Sequence, residues 1–317
     1  MEVIMRYIMC QTDVTKFSWQ LEVAITNLMS LGVSPKDIFV ILVDAPDGDI
    51  ATGSRIANKY HVNVHQYAPD YFNWNKYHYI PYVKPWGLYR FFEDHPEEIP
   101  YTYMYQDSDV VYRELIDESK LHIDAKHWIG SDTGSYTGLS YIKSKGEELV
   151  GLMADKVGVS KDTIESLGDA VPGAQLIFNS PDPEWFKASA IKSQELYQWL
   201  TEVEPEYKHK YSEAGNPDEY PIQRWTAQMW TDIWIPADNG VHMGVSPELD
   251  FCFATDDMET MNTRKIYHDA GVSSDDKDMF YKGQYDHGKT PFGEDFSFVN
   301  KNKASYFYVQ AIEKVRN

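Results

Sequence analysis

The sequence predicts an α/β fold with a parallel, doubly wound sheet flanked by helices. Three observations point there. Apolar runs at Val3–Met9, Ile38–Val43 and Val62–Tyr67 read as strands, the second of them continuous (IFVILV) as in a strand buried on both faces. Helical stretches, Phe17–Leu31 and Ile50–Tyr60, alternate with them, and strand–helix–strand order is the pattern of parallel crossover units. The third is Tyr101–Tyr112, YTYMYQDSDVVY, an aromatic and β-branched strand that runs straight into two carboxylates, Asp107 and Asp109.

Each element has a local reason. Trp19, Val23, Ile25, Leu28 and Leu31 recur at helical spacing, and Gly32 stops the helix. Asp44-Ala45-Pro46-Asp47-Gly48 ends the second strand with turn residues. Tyr77–Phe92 reads as an aromatic helix packed on the sheet. Lys126–Gly130 is a short strand that ends in polar Ser131–Ser135, and Glu147–Val157 is helical. In Ala170–Ser180 the turn Pro172-Gly173-Ala174-Gln175 precedes an apolar strand. Pro183–Val203 and Pro221–Trp234 read as helices separated by the polar stretch Glu204–Glu219. The second puts Trp225, Met229 and Ile233 on one face, a stripe expected in the core, with Gln228 and Asp232 on an adjacent face. Met279–Asn302 is loop-like, and Tyr306–Arg316 closes the chain as an amphipathic helix.

Composition bounds the function. A chain of 317 residues holds one large domain or two small ones. The net charge of −20 disfavours a broad nucleic-acid-binding surface and favours solubility, though a local basic groove remains compatible with it. Lysines cluster at Lys187–Lys192, Lys208–Lys210 and Lys301–Lys303, while Tyr, Trp and His crowd Tyr71–Tyr82. No apolar run of about 18 residues appears, so no membrane span or membrane partner is expected. The opening MEVIMRYIMCQTD reads as a first strand rather than a signal peptide. Cys10 and Cys252 make neither a disulfide framework nor a zinc site, which suits a reducing cytoplasm.

Asp-x-Asp occurs three times, within Asp47-Gly48-Asp49, Asp107-Ser108-Asp109 and Asp275-Asp276-Lys277-Asp278. Only the middle run ends a strand; the others sit among Gly, Pro, Ser and Lys, as solvated loops do. Two carboxylates at the end of a buried strand are costly unpaired, and Mg²⁺ or Mn²⁺ bridging them to a diphosphate would neutralise both. Ligands of doubly wound sheets bind outside the carboxyl ends of the strands, where Gln11, Asp44 and Asp107 all fall. Lys84, next to Pro85-Trp86 at a helix start, suits either a phosphate or a structural ion pair. Lys282 is a second isolated cation beside turn residues. Gly173 permits close backbone approach and Gln175 offers a donor and an acceptor, or simply caps a strand. His268 taken alone reads as structural.

In order, Ile80-Pro81-Tyr82-Val83-Lys84-Pro85-Trp86, Tyr105-Gln106-Asp107-Ser108-Asp109, Ser131-Asp132-Thr133-Gly134-Ser135-Tyr136, Pro172-Gly173-Ala174-Gln175, Arg224–Trp230 and Ile266-Tyr267-His268 resemble the motif series of metal-dependent, nucleotide-sugar glycosyltransferases of the GT-A fold. The series is similar to enzymes of tailed phages, including those that glucosylate or arabinosylate hydroxymethylcytosine in DNA. It is more distantly similar to plant peptidyl-serine galactosyl- and hydroxyproline arabinosyltransferases. The resemblance implies a GT-A-like (Rossmann-like) mixed sheet flanked by helices in a single domain, with residues 1–125 as the nucleotide-binding half and 126–317 completing the acceptor and metal sites. It implies Mn²⁺ or Mg²⁺ on Asp107, Asp109 and His268. A UDP-sugar would lie among Gln11, Thr12, Asp44, Lys84, Trp86, Ser108 and Lys282, with the sugar against Ser131, Asp132, Gly173, Ala174 and Gln175. Hydroxymethylated DNA is the implied acceptor, in the host cytoplasm for a phage-encoded enzyme. Where the plant enzymes have Glu, this chain has Gln228, so Asp132 and Asp232 stand as substitute bases. A nucleotide-sugar hydrolase or pyrophosphorylase, a transferase acting on protein or glycan, and a non-catalytic binding module are the competing readings.

Overall fold

A computed structural model describes residues 5–69, 79–213 and 222–315. The start of the first expected strand, most of the aromatic crowd Tyr71–Tyr82, the end of the polar stretch Glu204–Glu219 with Pro221, and Arg316 lie outside the described residues. The strands, in chain order, are β1 (Arg6–Thr12), β2 (Ile38–Val43), β3 (Asn63–Tyr67), β4 (Thr102–Tyr105), β5 (Val110–Tyr112), β6 (His127–Asp132), β7 (Pro172–Asn179), β8 (His242–Val245), β9 (Phe251–Phe253) and β10 (Ile266–His268). The chain separates into two compact units. One comprises Met1–Ala68, Thr102–Leu121 and Ser246–Asn317, the other Pro69–Tyr101 and His122–Val245.

In the first unit β3, β2, β1 and β4 lie side by side, all parallel, as the alternating pattern predicts. Every residue of β2 is buried, which accounts for its unbroken apolar run. Helices Thr15–Ser30 and Thr52–Tyr60 make the crossovers. Tyr101–Tyr112, expected as one strand, is two. β4 stays beside β1, whereas β5 leaves for a small sheet ordered β5-β10-β9, antiparallel to β10. Asn27 holds that departure, because its side-chain amide donates to the Tyr112 carbonyl (2.9 Å) and accepts from the Tyr112 amide (2.7 Å). Beneath the small sheet Trp19, Phe280, Tyr285, Tyr267 and Tyr308 pack into an aromatic core with the closing helix Ser305–Glu313. Burial of a Trp or Phe there is worth about 3–5 kcal/mol against alanine.

In the second unit β6 pairs antiparallel with β7 and parallel with β8, so the α/β arrangement of the chain is mixed. Helices Val83–Asp94, Pro183–Glu213 and Ala227–Asp238 flank these strands. The expected stripe of Trp225, Met229 and Ile233 is only partly core. Ile233 is buried but Trp225 is 56% exposed, because Arg224–Thr226 is a 3₁₀ turn that breaks the 3.6-residue period before the helix begins at Ala227. The turn expected at Pro172–Gln175 lies inside β7. Register slips between Gly130 and Ser131, so that Ser131 faces Gly173 while Gly130 faces Leu176, leaving Ala174 and Gln175 as a bulge. Ala174 has φ 54°, and a Cβ on Gly173 would stand 2.6 Å from Thr133 Oγ1 and 2.8 Å from Met229 Cε. Any larger residue at 173 must displace the Thr133 and Met229 side chains.

Candidate functional site

In the first unit the end of β4 and the small sheet bring three ligand groups to one place. The Gln106 amide donates to the Ile8 carbonyl (3.2 Å), holding the chain beside β1. The Val110 amide then donates to the Asp107 carbonyl (3.3 Å), turning it into β5. β10 pairs with β5 so that His268 stands opposite Val110, and the Asp269 amide donates to the Asp109 carbonyl (3.0 Å). His268 Nε2 is consequently 3.5 Å from Asp109 Oδ1 and 4.0 Å from Asp107 Oδ2. One ligand atom from each of Asp107, Asp109 and His268 lies within 4.8 Å of the other two.

Lys282 completes the cluster. Its ammonium donates to Asp109 Oδ2 and to the Asp269 carbonyl oxygen. Burial by itself would raise the pKa of Asp109, but the charges of Lys282 and His268 outweigh it and hold the carboxyl well below the usual range. Burial pushes Asp269 the other way, up to about 6, although Lys282 and the Tyr267 hydroxyl, which donates to its Oδ1 at 2.7 Å, partly oppose the rise. Two neighbouring carboxyls are thus shifted in opposite directions.

The donor set fits a hard or borderline divalent cation, with two carboxylate oxygens and one imidazole nitrogen. In an octahedral site with bonds near 2.1 Å, neighbouring ligands stand about 3 Å apart and opposed ones about 4 Å. The separations here fall within that span. Asp109 can serve both charges, with Oδ2 towards Lys282 and Oδ1 towards His268.

The other nucleotide-side candidates lie at the ends of β1 and β2. Gln11 and Thr12 are buried opposite Leu42 and Val43. Asp44 accepts from Gln66 Nε2 (2.6 Å). Ser108 turns its hydroxyl away from the cluster, donating to Gln20 Oε1 (2.9 Å). Asp13 belongs to this region and Asp269 to the cluster at Lys282, and neither was singled out by sequence reasoning. Asp13 is buried and accepts from the Ala45 amide (2.8 Å), fixing the turn after β2. Its position one residue beyond an apolar strand was the available signal.

In the second unit Ser131 Oγ donates to Gln175 Oε1 (2.6 Å), with both residues fully buried at the bulge beside Gly173 and Ala174. Gln228 and Asp232 are joined by a hydrogen bond, and Ser189 Oγ donates to the other oxygen of Asp232. Asp132 is exposed, accepts from the Gly134 amide (2.9 Å), and lines an open cleft of about 470 Å³ with Ser135, Ser140, Tyr141 and Asp169. Lys84 and Trp86 sit in the first turn of helix Val83–Asp94, half-buried. Of the lysine clusters, Lys187, Lys192, Lys210 and Lys303 are each ion-paired, with Glu184, Glu195, Glu206 and Asp257. That pairing weakens any case for a cationic groove.

No family model matches the chain, and no curated protein matches it. Solved structures do. A bifunctional glycosyltransferase, WbbM, in its apo form matches with TM-score 0.47 and 11% identity over 100% of this chain and 50% of the other, so the chain spans half that protein's length. The galactosyltransferase LgtC, in complex with donor and acceptor sugar analogues, matches with TM-score 0.45 and 11% identity over 99% of this chain and 97% of the other. Mouse xyloside xylosyltransferase 1, apo form, matches with TM-score 0.39 and 12% identity over 84% of this chain and 97% of the other. Among the described residues no helix is long and apolar enough to cross a membrane.

Proposed function

We propose that this chain is a metal-dependent glycosyltransferase that moves a pentose or hexose from a nucleoside diphosphate, UDP in the first instance, to an acceptor hydroxyl. The observation that carries this reading is the convergence of Asp107, Asp109 and His268 beside the Lys282 ammonium. Bound there, Mn²⁺ or Mg²⁺ would offset the charge that develops on the departing diphosphate. The imidazole favours Mn²⁺ of the two. Lys282 holds Asp109 ionised and adds a second positive charge beside the diphosphate. Gln11, Thr12 and Asp44, in the same unit as the cluster, are the residues proposed to receive the nucleotide. An inverting reaction needs a carboxylate to take the acceptor proton, and of the two candidates in the second unit Asp132 is exposed whereas Asp232 is engaged by both Gln228 and Ser189.

Hydroxymethylcytosine in DNA is the acceptor to test first. The acidic balance and the paired lysines favour a protein, glycan or small-molecule hydroxyl as its rival. The full chain is incubated with Mn²⁺, a panel of UDP-sugars, and either hydroxymethylcytosine DNA or hydroxyl acceptors, with products read by mass spectrometry. A pentose or hexose mass gain on the acceptor supports transfer; release of free sugar or sugar phosphate alone supports a hydrolase or pyrophosphorylase. Asp109→Asn is expected to lower turnover about 10³-fold, as loss of several kcal/mol of leaving-group stabilisation would. Undiminished turnover in excess chelator would sink the proposal.

A further inference from the structure

A second group of metal-ligating side chains lies in the other unit, on a surface that the proposed reaction does not use. The loop before β6 folds back on the strand through a two-way backbone bridge between Asp124 and His127, with amide-to-carbonyl distances of 3.2 Å in both directions. That bridge presents Asp124 between two imidazoles. Its Oδ1 is 2.9 Å from His127 Nδ1 and its Oδ2 is 3.3 Å from His122 Nε2. The rings of His122 and His127 are 4.5 Å apart. On the other side, parallel pairing of β6 with β8 sets His127 opposite His242, ring centroids 5.7 Å apart. Four donor residues from a loop and two paired strands therefore face one small region.

We propose that His122, Asp124 and His127, with His242 as the nearest fourth donor, form a second metal site, one that takes a borderline transition cation such as Zn²⁺. Imidazole-rich sets suit Zn²⁺, Ni²⁺ and Cu²⁺, whereas Mg²⁺ prefers oxygen. A tetrahedral Zn²⁺ with bonds near 2.0 Å places its ligands about 3.3 Å apart. Each imidazole lies against its own oxygen of Asp124, at 2.9 and 3.3 Å, and one ligand atom from each of His122, Asp124 and His127 lies within 4.8 Å of the other two. Two ligands are held by backbone pairing and one by a short loop, so little of the chain must be ordered on binding. Occupancy would pin residues 122–126 to the β6–β8 edge and stabilise the unit by mass action.

The two sites separate by ligand chemistry and by substitution. Zn²⁺ and Co²⁺ are titrated into the full chain and into the His268→Ala variant, which lacks the imidazole of the first cluster. Heat and the visible Co²⁺ spectrum are recorded. The expected result is that His268→Ala retains one binding equivalent with tetrahedral Co²⁺ bands and a Zn²⁺-dependent rise in Tm. The double variant His122→Ala/His127→Ala should bind that equivalent at least about tenfold more weakly and lose the rise in Tm. Both replaced residues are surface groups, so the double variant should fold as the parent does. Parent-like Zn²⁺ affinity in the double variant, or absence of the equivalent from His268→Ala, overturns the proposal.

Discussion

Asp47-Gly48-Asp49 and Asp107-Ser108-Asp109 have the same spacing, lie in the same unit, and each follow a strand of the parallel sheet, yet they behave as opposites. Asp49 is exposed, caps the Ala51 amide (3.0 Å) and pairs with Arg55 in water (2.9 Å). Asp109 is buried against Lys282 and His268. The first run is a turn in which Asp49 caps the backbone and meets one exposed guanidinium; the second is a buried charge cluster. The motif is the same in both, so what separates them is the number of other elements converging on the spot. Among the described residues, neither β10 nor the loop carrying Lys282 hydrogen-bonds or ion-pairs with the first run.

The largest effect that would test this contrast comes from Lys282→Met. Removing one partner of a buried pair leaves Asp109 an uncompensated charge, costing about 3–5 kcal/mol of unfolding free energy in chelator. Mn²⁺ should restore much of the loss, since the cation replaces the ammonium. Urea unfolding in chelator and in Mn²⁺ checks both halves, and a variant as stable as the parent would refute the pairing. His268→Ala is next, with UDP–Mn²⁺ binding weakened by about 1–3 kcal/mol in calorimetry, the scale of one charge-assisted contact. Unchanged affinity would return His268 to a structural role.

Glu248 stands between the two extremes. Lys120 and Lys265 both donate to it and hold its carboxyl down at about 2 from an ordinary 4.5. A depressed folded-state pKa contributes stability above the unfolded value and loses it as pH falls through the folded one. The stability deficit of Glu248→Gln should therefore be full above pH 4.5 and close towards pH 2. A deficit that does not change across an acid titration would show that the pairs contribute nothing. Smallest of all is Arg55→Met, the exposed counterpart of Lys282→Met, expected within about 0.5 kcal/mol of the parent and insensitive to Mn²⁺. A larger cost, or a metal response, would erase the contrast between the two runs.

Local pattern by itself determined much of this chain. The strand–helix alternation of the first 67 residues, the strand that leads to Asp107 and the closing helix all follow from periodicity and breakers, because these express short-range backbone preference and burial of one face. Asp107 and Asp109 were legible for the same reason, and His268 only through the ordered motif series. Tertiary structure decided the rest. It split Tyr101–Tyr112 between two sheets, put Ala174 and Gln175 into a bulge, exposed Trp225, and set Lys282 on Asp109 and Asp13 on the turn at Ala45. Each of these depends on which distant strand or loop arrives alongside, and a residue's own neighbours in sequence carry no record of that partner. Burial of Asp109 is tolerable only because β10 and the loop at Lys282 bring opposite charge to it, and that pairing is made only when the chain has closed on itself.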